Sequence, residues 1–458
     1  MVKKEISHLL GRDIAYQTLS KASEVSDKTE DVSRSVKALE DALLVAKHQM
    51  QDRMHIIQKN TEMSQEFLSN EYAALYNWKS TSRPRVLICG FYGAKNVGDE
   101  LMLEALLGLL PENKLDITIL LSNNYDIDAA EYAPFRVLHY PKYSSDVLAI
   151  AHNFDAVIWG GGAMLDDVDY EYRGQYSTMA YILMSITKAV LKCGGQAFVY
   201  GVSSNKKLMN NKFLQDLQYV VDNSDYFALR DSNSLESLKK AGINTKKIAI
   251  IDDLSIAGIP SGYVSKKRSN DNNVLNVGIN LIVSDNGINE ATRVLKKIAD
   301  VFEKPINIIM IPFYNYKDHD QKLINDLIRD VKIKGVKITM VNQPNTMREL
   351  LDIYDKLDYI FTMRYHASLI AALTHNNVIM IDYEDRHSHY HNKNDYIKPK
   401  YCKELKVIKY DDLCKDGEFG ELGALNESER VNLEDIRKEI ATIVNNTVKK
   451  IRKVKNAN

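Results

Sequence analysis

The stretch GFYGAKNVGDELMLEALLGLL, residues 90–110, decides the fold. It follows the apolar run VLIC (86–89) and turns within a few residues into a helical pattern. A short apolar run that opens through glycine onto a helix is the first unit of an alternating β/α chain. Its glycines Gly90, Gly93 and Gly98 fit neither GxGxxG nor GxxxxGK[ST], so a generic dinucleotide or ATP site is not indicated. The physics of a Gly-rich turn still applies. Glycine admits close backbone approach, and the first N–H groups of a helix are expected to point into the cleft and attract anions. Asn96 and Asp99 are natural capping residues there. A ligand cradle and a tight turn with an ordinary N-cap both fit.

Downstream the alternation repeats. DITILLS (116–122), FRVLHYP (135–141), DAVIWGGG (155–162), AFVYGVS (197–203), DYFALRD (225–231) and KIAIIDDLS (247–255) read as buried strands. Helical stretches lie between them, including a long one over about 177–192, so the expectation is a doubly wound parallel sheet. A polar, breaker-rich segment (259–273) reads as an interdomain linker. The series restarts with VLNVGINL (274–281), INIIMIPF (306–313), VKITMVN (336–342) and DYIFTMRYH (358–366), and ends with NVIMIDY (377–383). The fold class is therefore α/β: two Rossmann-like domains, over 84–260 and 270–425, in a GT-B-like arrangement with the chemistry between the sheets' carboxyl ends.

Residues 1–80 differ in texture, with one Gly, no Pro and a short heptad seam through Val32, Val36, Leu39, Leu43, Ala46 and Met50. This helical extension suits either a coiled coil that makes a homo-oligomer or a helix lying on its own chain. Residues 426–458 read as a charged helix with a basic tail, KKIRKVKNAN. That tail fits a solvated helix end, or peripheral contact with an anionic membrane through Val448, Ile451 and Val454. The 458 residues carry a formal net charge of -1, which provides no field for nucleic acid. Four scattered cysteines without a CxxC pair argue against structural zinc and a disulfide framework. The N-terminus does not read as a secretory signal, and no apolar run reaches the ~18 residues of a membrane span. A cytoplasmic protein is expected.

Further constellations carry candidate chemistry. Gly160, Gly161 and Gly162 follow a buried strand, with Asp166 and Asp167 at the rim. This turn suits an anion beside sugar hydroxyls, or the close packing of strand on helix. In MRYHASLIAAL, Arg364 and His366 lie two apart at a strand end, so they are expected to share one opening. Arg suits phosphate or carboxylate, and His exchanges protons near neutral pH. A salt-bridged Arg beside a buried His fits as well. Arg230 and Asp231 stand at another strand-to-helix junction, where Asp231 or Ser232 caps the helix. His387, His389 and His391 alternate in YEDRHSHYHNK, a spacing that suits a metal but more often a solvated loop. No metal is expected.

From about residue 84 to 383 the chain resembles the polysaccharide pyruvyl transferase family. The resemblance rests on GFYGAKNVGDELML, VIWGGGAMLDD, ALRDSNSLESLKKAG, IIDDLS and MRYHASLIAAL, in that order and spacing. It implies transfer of pyruvate from phosphoenolpyruvate, as co-substrate, onto a sugar or lipid-linked oligosaccharide as a ketal, in bacterial surface polysaccharide assembly. On that resemblance His366 is the general acid and base, and Arg364 holds the departing phosphate. Arg230 and Gly160–Gly162 join the donor site, while Gly93, Asn96, Gly98, Asp99 and Asp166 face the acceptor or shape the loop beside it. Many relatives carry a His just after the Pro-Phe pair, where this chain has Tyr314 and, further on, His319. Two rivals stand beside this reading: a GT-B glycosyltransferase using a nucleotide sugar, and a non-catalytic assembly protein on the same fold.

Overall fold

The computed structural model describes residues 70–77, 81–122, 129–170, 178–264, 274–282, 288–315, 319–382, 394–414 and 431–453. The heptad seam and the three alternating histidines lie outside them. The first sheet holds β1 (Arg85–Cys89), β2 (Asp116–Leu121), β3 (Arg136–His139), β4 (Ala156–Trp159), β5 (Gly162–Leu165), β6 (Gln196–Ser204), β7 (Tyr226–Leu229) and β8 (Ile248–Ile250). Its order is β3-β2-β1-β4-β6-β7-β8, with β5 also on β6. The second holds β9 (Leu275–Asn280), β10 (Ile306–Met310), β11 (Lys337–Met340), β12 (Tyr359–Thr362), β13 (Val378–Asp382) and β14 (Lys406–Lys409), in the order β11-β10-β9-β12-β13-β14. Neighbouring strands pair in parallel throughout both sheets. These are two Rossmann-like domains in a GT-B-like arrangement.

The helices that matter below are α1 (Val97–Leu109), α2 (Met179–Lys192), α3 (Ser232–Lys240), α4 (His319–Asp330), α5 (Met347–Tyr354), α6 (Tyr365–Thr374), α7 (Asn394–Tyr401) and α8 (Leu433–Val448). Continuous apolar runs form the central strands because both faces are covered. Leu87, Cys89, Val157 and Trp159 enter one core with α2, where the Trp159 indole donates to Thr187 Oγ1 at 2.9 Å. Val86, Ile88, Ala156 and Ile158 face the other way, as the two-residue period requires. In the second sheet Phe361, Ile379 and Ile381 enter an outer core.

The inner faces meet in one shared core. Leu101 and Leu106 of α1, Ile256 and Ile259 after β8, Leu350 of α5, Ile370 of α6 and Ile440 of α8 all belong to it. Each such aliphatic side chain contributes about 1.5–3 kcal/mol when fully buried, so the two domains are fused rather than loosely hinged.

The second series does not end at β13, as expected from sequence. It continues through α7 to β14, whose KVIK run is charged at both ends as suits a sheet edge. The C-terminal helix returns to the first domain, where Thr447 and Tyr200 share a hydroxyl hydrogen bond. Gln196 donates to the Lys450 carbonyl (3.2 Å) and accepts from Arg452 N–H (2.9 Å). Val448 is buried and Ile451 packs on the core, so this part of the tail's apolar side is turned inward. Among the described residues no helix is long and apolar enough to cross a membrane.

Candidate active site between the sheet ends

Strand ends from both domains deliver side chains to one place. Arg230 follows directly on β7 and is 9% exposed. Its Nη1 donates to Asp253 Oδ2 at 3.0 Å and its Nη2 to Ser203 Oγ at 2.9 Å. Asp253 follows β8, is fully buried, and caps the turn Leu254–Gly258 by accepting from Ser255 N–H (3.1 Å) and Oγ (2.6 Å). Across the domain boundary His366, in the first turn of α6, brings Nε2 to 3.5 Å from the same Asp253 oxygen. That is ion-pair range but too long for a formed hydrogen bond, and Nε2 has no other partner. The Tyr365 ring lies under the Arg230 guanidinium, 4.3 Å from its carbon, and meets the His366 ring edge-on at 4.9 Å.

α7 closes one side. Tyr396 stacks on Tyr365 at 6.0 Å and donates to the Arg230 carbonyl. Its hydroxyl also shares a 2.9 Å bond with Tyr401, which donates to Asp252 at 2.6 Å, and Lys400 pairs with that carboxylate at 2.7 Å.

The electrostatics follow from this burial. Desolvation alone would push the Asp253 carboxyl up, but the charges of His366 and Arg230 and the Ser255 bond hold it below the usual carboxylate range. Asp99 goes the other way: burial and neighbouring Glu100 push it up to about 8, against a smaller opposing pull from Arg230. Its proton is therefore held to a higher pH than that of an ordinary carboxyl.

The Gly-rich first loop does not present a free helix N-terminus, contrary to the sequence expectation. Val97 N–H donates to Phe313 O (2.9 Å), Gly98 N–H to Asn96 Oδ1 (3.2 Å), and the Asp99 and Glu100 N–H groups to Asn96 O (each 3.1 Å). Asn96 also bridges to Tyr314, and Asn315 N–H donates to Lys95 O at 3.1 Å. The loop holds the second domain. Gly98 is needed because a Cβ there would come 1.9 Å from His366 Nδ1. Gly93, at φ +77, instead turns its N–H onto Glu100 Oε1 at 2.8 Å.

The second glycine turn fits the packing alternative. No helix follows it; the chain passes directly into β5, so no helix dipole serves an anion there. A Cβ on Gly160 would come 2.0 Å from Tyr92 Oη, and one on Gly161 2.8 Å from Met102 Sδ. These glycines serve close packing. Asp166 accepts from Val168 N–H and Asn205 Nδ2, which shapes the rim loop. Asp231 rather than Ser232 caps α3.

Arg364 and His366 pair with different carboxylates, Asp320 and Asp253. The strand stops at Thr362 and Tyr365 is already helical, so the two-residue period no longer applies and each residue turns about 100°. Arg364 Nη2 donates to Asp320 Oδ1 at 2.7 Å, and its guanidinium carbon lies 5.6 Å from the Tyr314 ring centre. Its Nε is buried without a partner. Asp253, Ser203, Tyr365 and Tyr396 were not singled out from sequence. The IIDDLS segment was the available signal, because carboxylates directly after a parallel strand lie at the sheet's ligand-facing edge. Among the described residues no group of His, Cys, Asp and Glu could hold a metal ion.

Two Rossmann-like domains with a charged cluster between their facing sheet ends define a transferase scaffold of the GT-B type. The chain belongs to the polysaccharide pyruvyl transferase family, whose sequence profile matches residues 96–385 and so takes in Arg230, Asp253 and His366. No curated protein sequence matches it. Similar solved structures include the UDP-GlcNAc 2-epimerase of Methanocaldococcus jannaschii, at 11% identity and a TM-score of 0.45, covering 78% of this chain and 98% of that one. HepE of Anabaena, solved with UDP and glucose, has 11% identity and 0.44, over 80% and 90%. MurG of Acinetobacter baumannii has 10% identity and 0.43, over 80% and 92%.

Proposed function

We propose that the protein transfers pyruvate from phosphoenolpyruvate onto two hydroxyls of a sugar, forming a ketal for a bacterial surface polysaccharide. The observation that supports this most directly is the Arg230–Asp253–His366 cluster within the family-matched region. In this reading the His366 imidazolium, held beside the Asp253 carboxylate, gives a proton to the methylene carbon of the donor. The cationic C2 is attacked by the first hydroxyl, the C2–O bond to phosphate breaks, and the second hydroxyl closes the ketal. The two hydroxyl protons balance the one added to carbon and the one carried off by inorganic phosphate. Arg364, with its free Nε, and Arg230 compensate the donor's charges. The acceptor is a free or lipid-linked sugar at the cytoplasmic side.

Calorimetric titration of phosphoenolpyruvate into wild type and Arg364→Gln tests the donor. Binding by wild type that is lost in the variant is the expected result. Binding of a nucleoside diphosphate with none of phosphoenolpyruvate would overturn the proposal in favour of nucleotide-sugar transfer.

A further inference from the structure

A cavity of about 550 Å³ lies between the two domains, beside the first loop and away from the His366 imidazole. Its volume is in the range of small-molecule sites, about 300–1,000 Å³. The first domain contributes Glu100, Glu131 and Tyr132, and the second contributes Gln321, Asn342 and Gln343. Five side-chain amides line it in all, with Lys95 as the one cation among the described lining residues and no arginine.

This lining disfavours an anion. A phosphate would face two glutamates with a single exposed lysine to compensate, whereas phosphate sites present arginine forks or clustered N–H donors. What the cavity offers is acceptors. Gln343 spends its amide N–H on the Lys95 carbonyl at 2.9 Å, and its buried Oε1 has no hydrogen-bond partner. The Glu100 carboxyl lies at the wall, where it accepts from Gly93 N–H and from the Tyr132 hydroxyl. A fitting ligand must supply several neutral donors and accept from amide N–H groups in return. Adjacent hydroxyls on a sugar ring do both.

We infer that this cavity is a saccharide subsite, which binds an uncharged, hydroxyl-rich sugar unit of the acceptor through Gln343, Asn342 and Glu100. The inference deepens the pyruvyl-transfer reading and rests on it for the identity of the acceptor, but not for the sugar chemistry of the cavity. The wall formed by Gly93 and Lys95 belongs to the same loop that seats Gly98 against His366, so a sugar held here is anchored to the reacting centre by one short segment.

The test uses the full chain and methyl glycosides of glucose, galactose, mannose and N-acetylglucosamine, read by saturation-transfer NMR. At least one should bind wild type. Asn342→Trp, which fills the cavity from an exposed position, should abolish that signal, and Gln343→Ala should weaken it about tenfold. Phosphoenolpyruvate binding should be unchanged in Asn342→Trp. The inference is overturned if no glycoside binds up to its solubility limit, or if binding persists unaltered in Asn342→Trp. Failure of wild type to bind phosphoenolpyruvate, with glycoside binding still blocked by Asn342→Trp, would sink the donor assignment and leave the subsite standing.

Discussion

Gly98 and His366 are in direct contact across the domain boundary, so close that a methyl group on Gly98 would come 1.9 Å from the imidazole Nδ1. Gly98 sits in the first turn of α1 and its φ is not positive, so alanine fits the backbone and only the histidine is disturbed. Gly98→Ala should lower turnover about a hundredfold, the usual effect of displacing a reacting group by an ångström. Gly108→Ala, in the same helix with nothing near its Cβ, is the control. It should gain about 0.5–1 kcal/mol of stability and keep full activity. Equal activity of the two variants would refute the role of the contact.

The raised Asp99 acid gives a pH dependence of definite sign. Its carboxyl is protonated in the fold up to about pH 8, whereas the unfolded chain releases that proton near pH 4. The folded state therefore binds the extra proton between these values, and stability falls as pH rises through that window, by about 1.4 kcal/mol per unit at most. Asp99→Asn keeps the shape without the titration. Urea midpoints measured from pH 5 to 9 should decline less steeply in the variant than in wild type.

Asp253 behaves oppositely. Its carboxyl is held low, so its contribution is complete above about pH 4 and is lost as pH falls through the folded value. Asp253→Asn leaves the Arg230 charge buried beside a neutral amide and should cost about 3–5 kcal/mol near pH 7. That difference should shrink in acid, which chemical denaturation at two pH values will reveal.

Val97 offers a probe of the domain seam. It is the first residue of α1, where proline is tolerated, and Asn96 before it is extended as a pre-proline residue must be. Val97→Pro therefore removes the N–H bond to Phe313 O while sparing the helix. A loss of about 1–3 kcal/mol is expected, because the buried acceptor is left unsatisfied. An unchanged unfolding midpoint would show the seam bond to be dispensable.

The strands that could be read from the sequence are those whose surroundings leave one option. VLIC, AVIW and VIMI are buried on both faces and carry no charge within the run, so their apolar character signals a central parallel strand. KVIK lies at an edge with lysine at each end, and GAML starts on glycine, so neither run announces itself. At the site, the glycines and caps of residues 90–99 were visible, but what they hold was not. Whether the N–H of Val97 meets a ligand or the carbonyl of Phe313 depends on a segment more than 200 residues away. The pairing of Asp253 with His366 is a tertiary fact of the same kind, and the split between Arg364 and His366 turned on where one strand stops.

The shared inner core has a consequence for how the chain is made. Leu101, Leu106, Ile256 and Ile259 are covered by α5, α6 and finally α8, which lies within the last 26 residues. At about 5–20 residues per second, the ribosome needs roughly 10–40 s to add the chain after residue 260. During that interval the first sheet and its helices have an uncovered apolar side. The first domain expressed alone, without α5, α6 and α8, should therefore aggregate or need a holding chaperone.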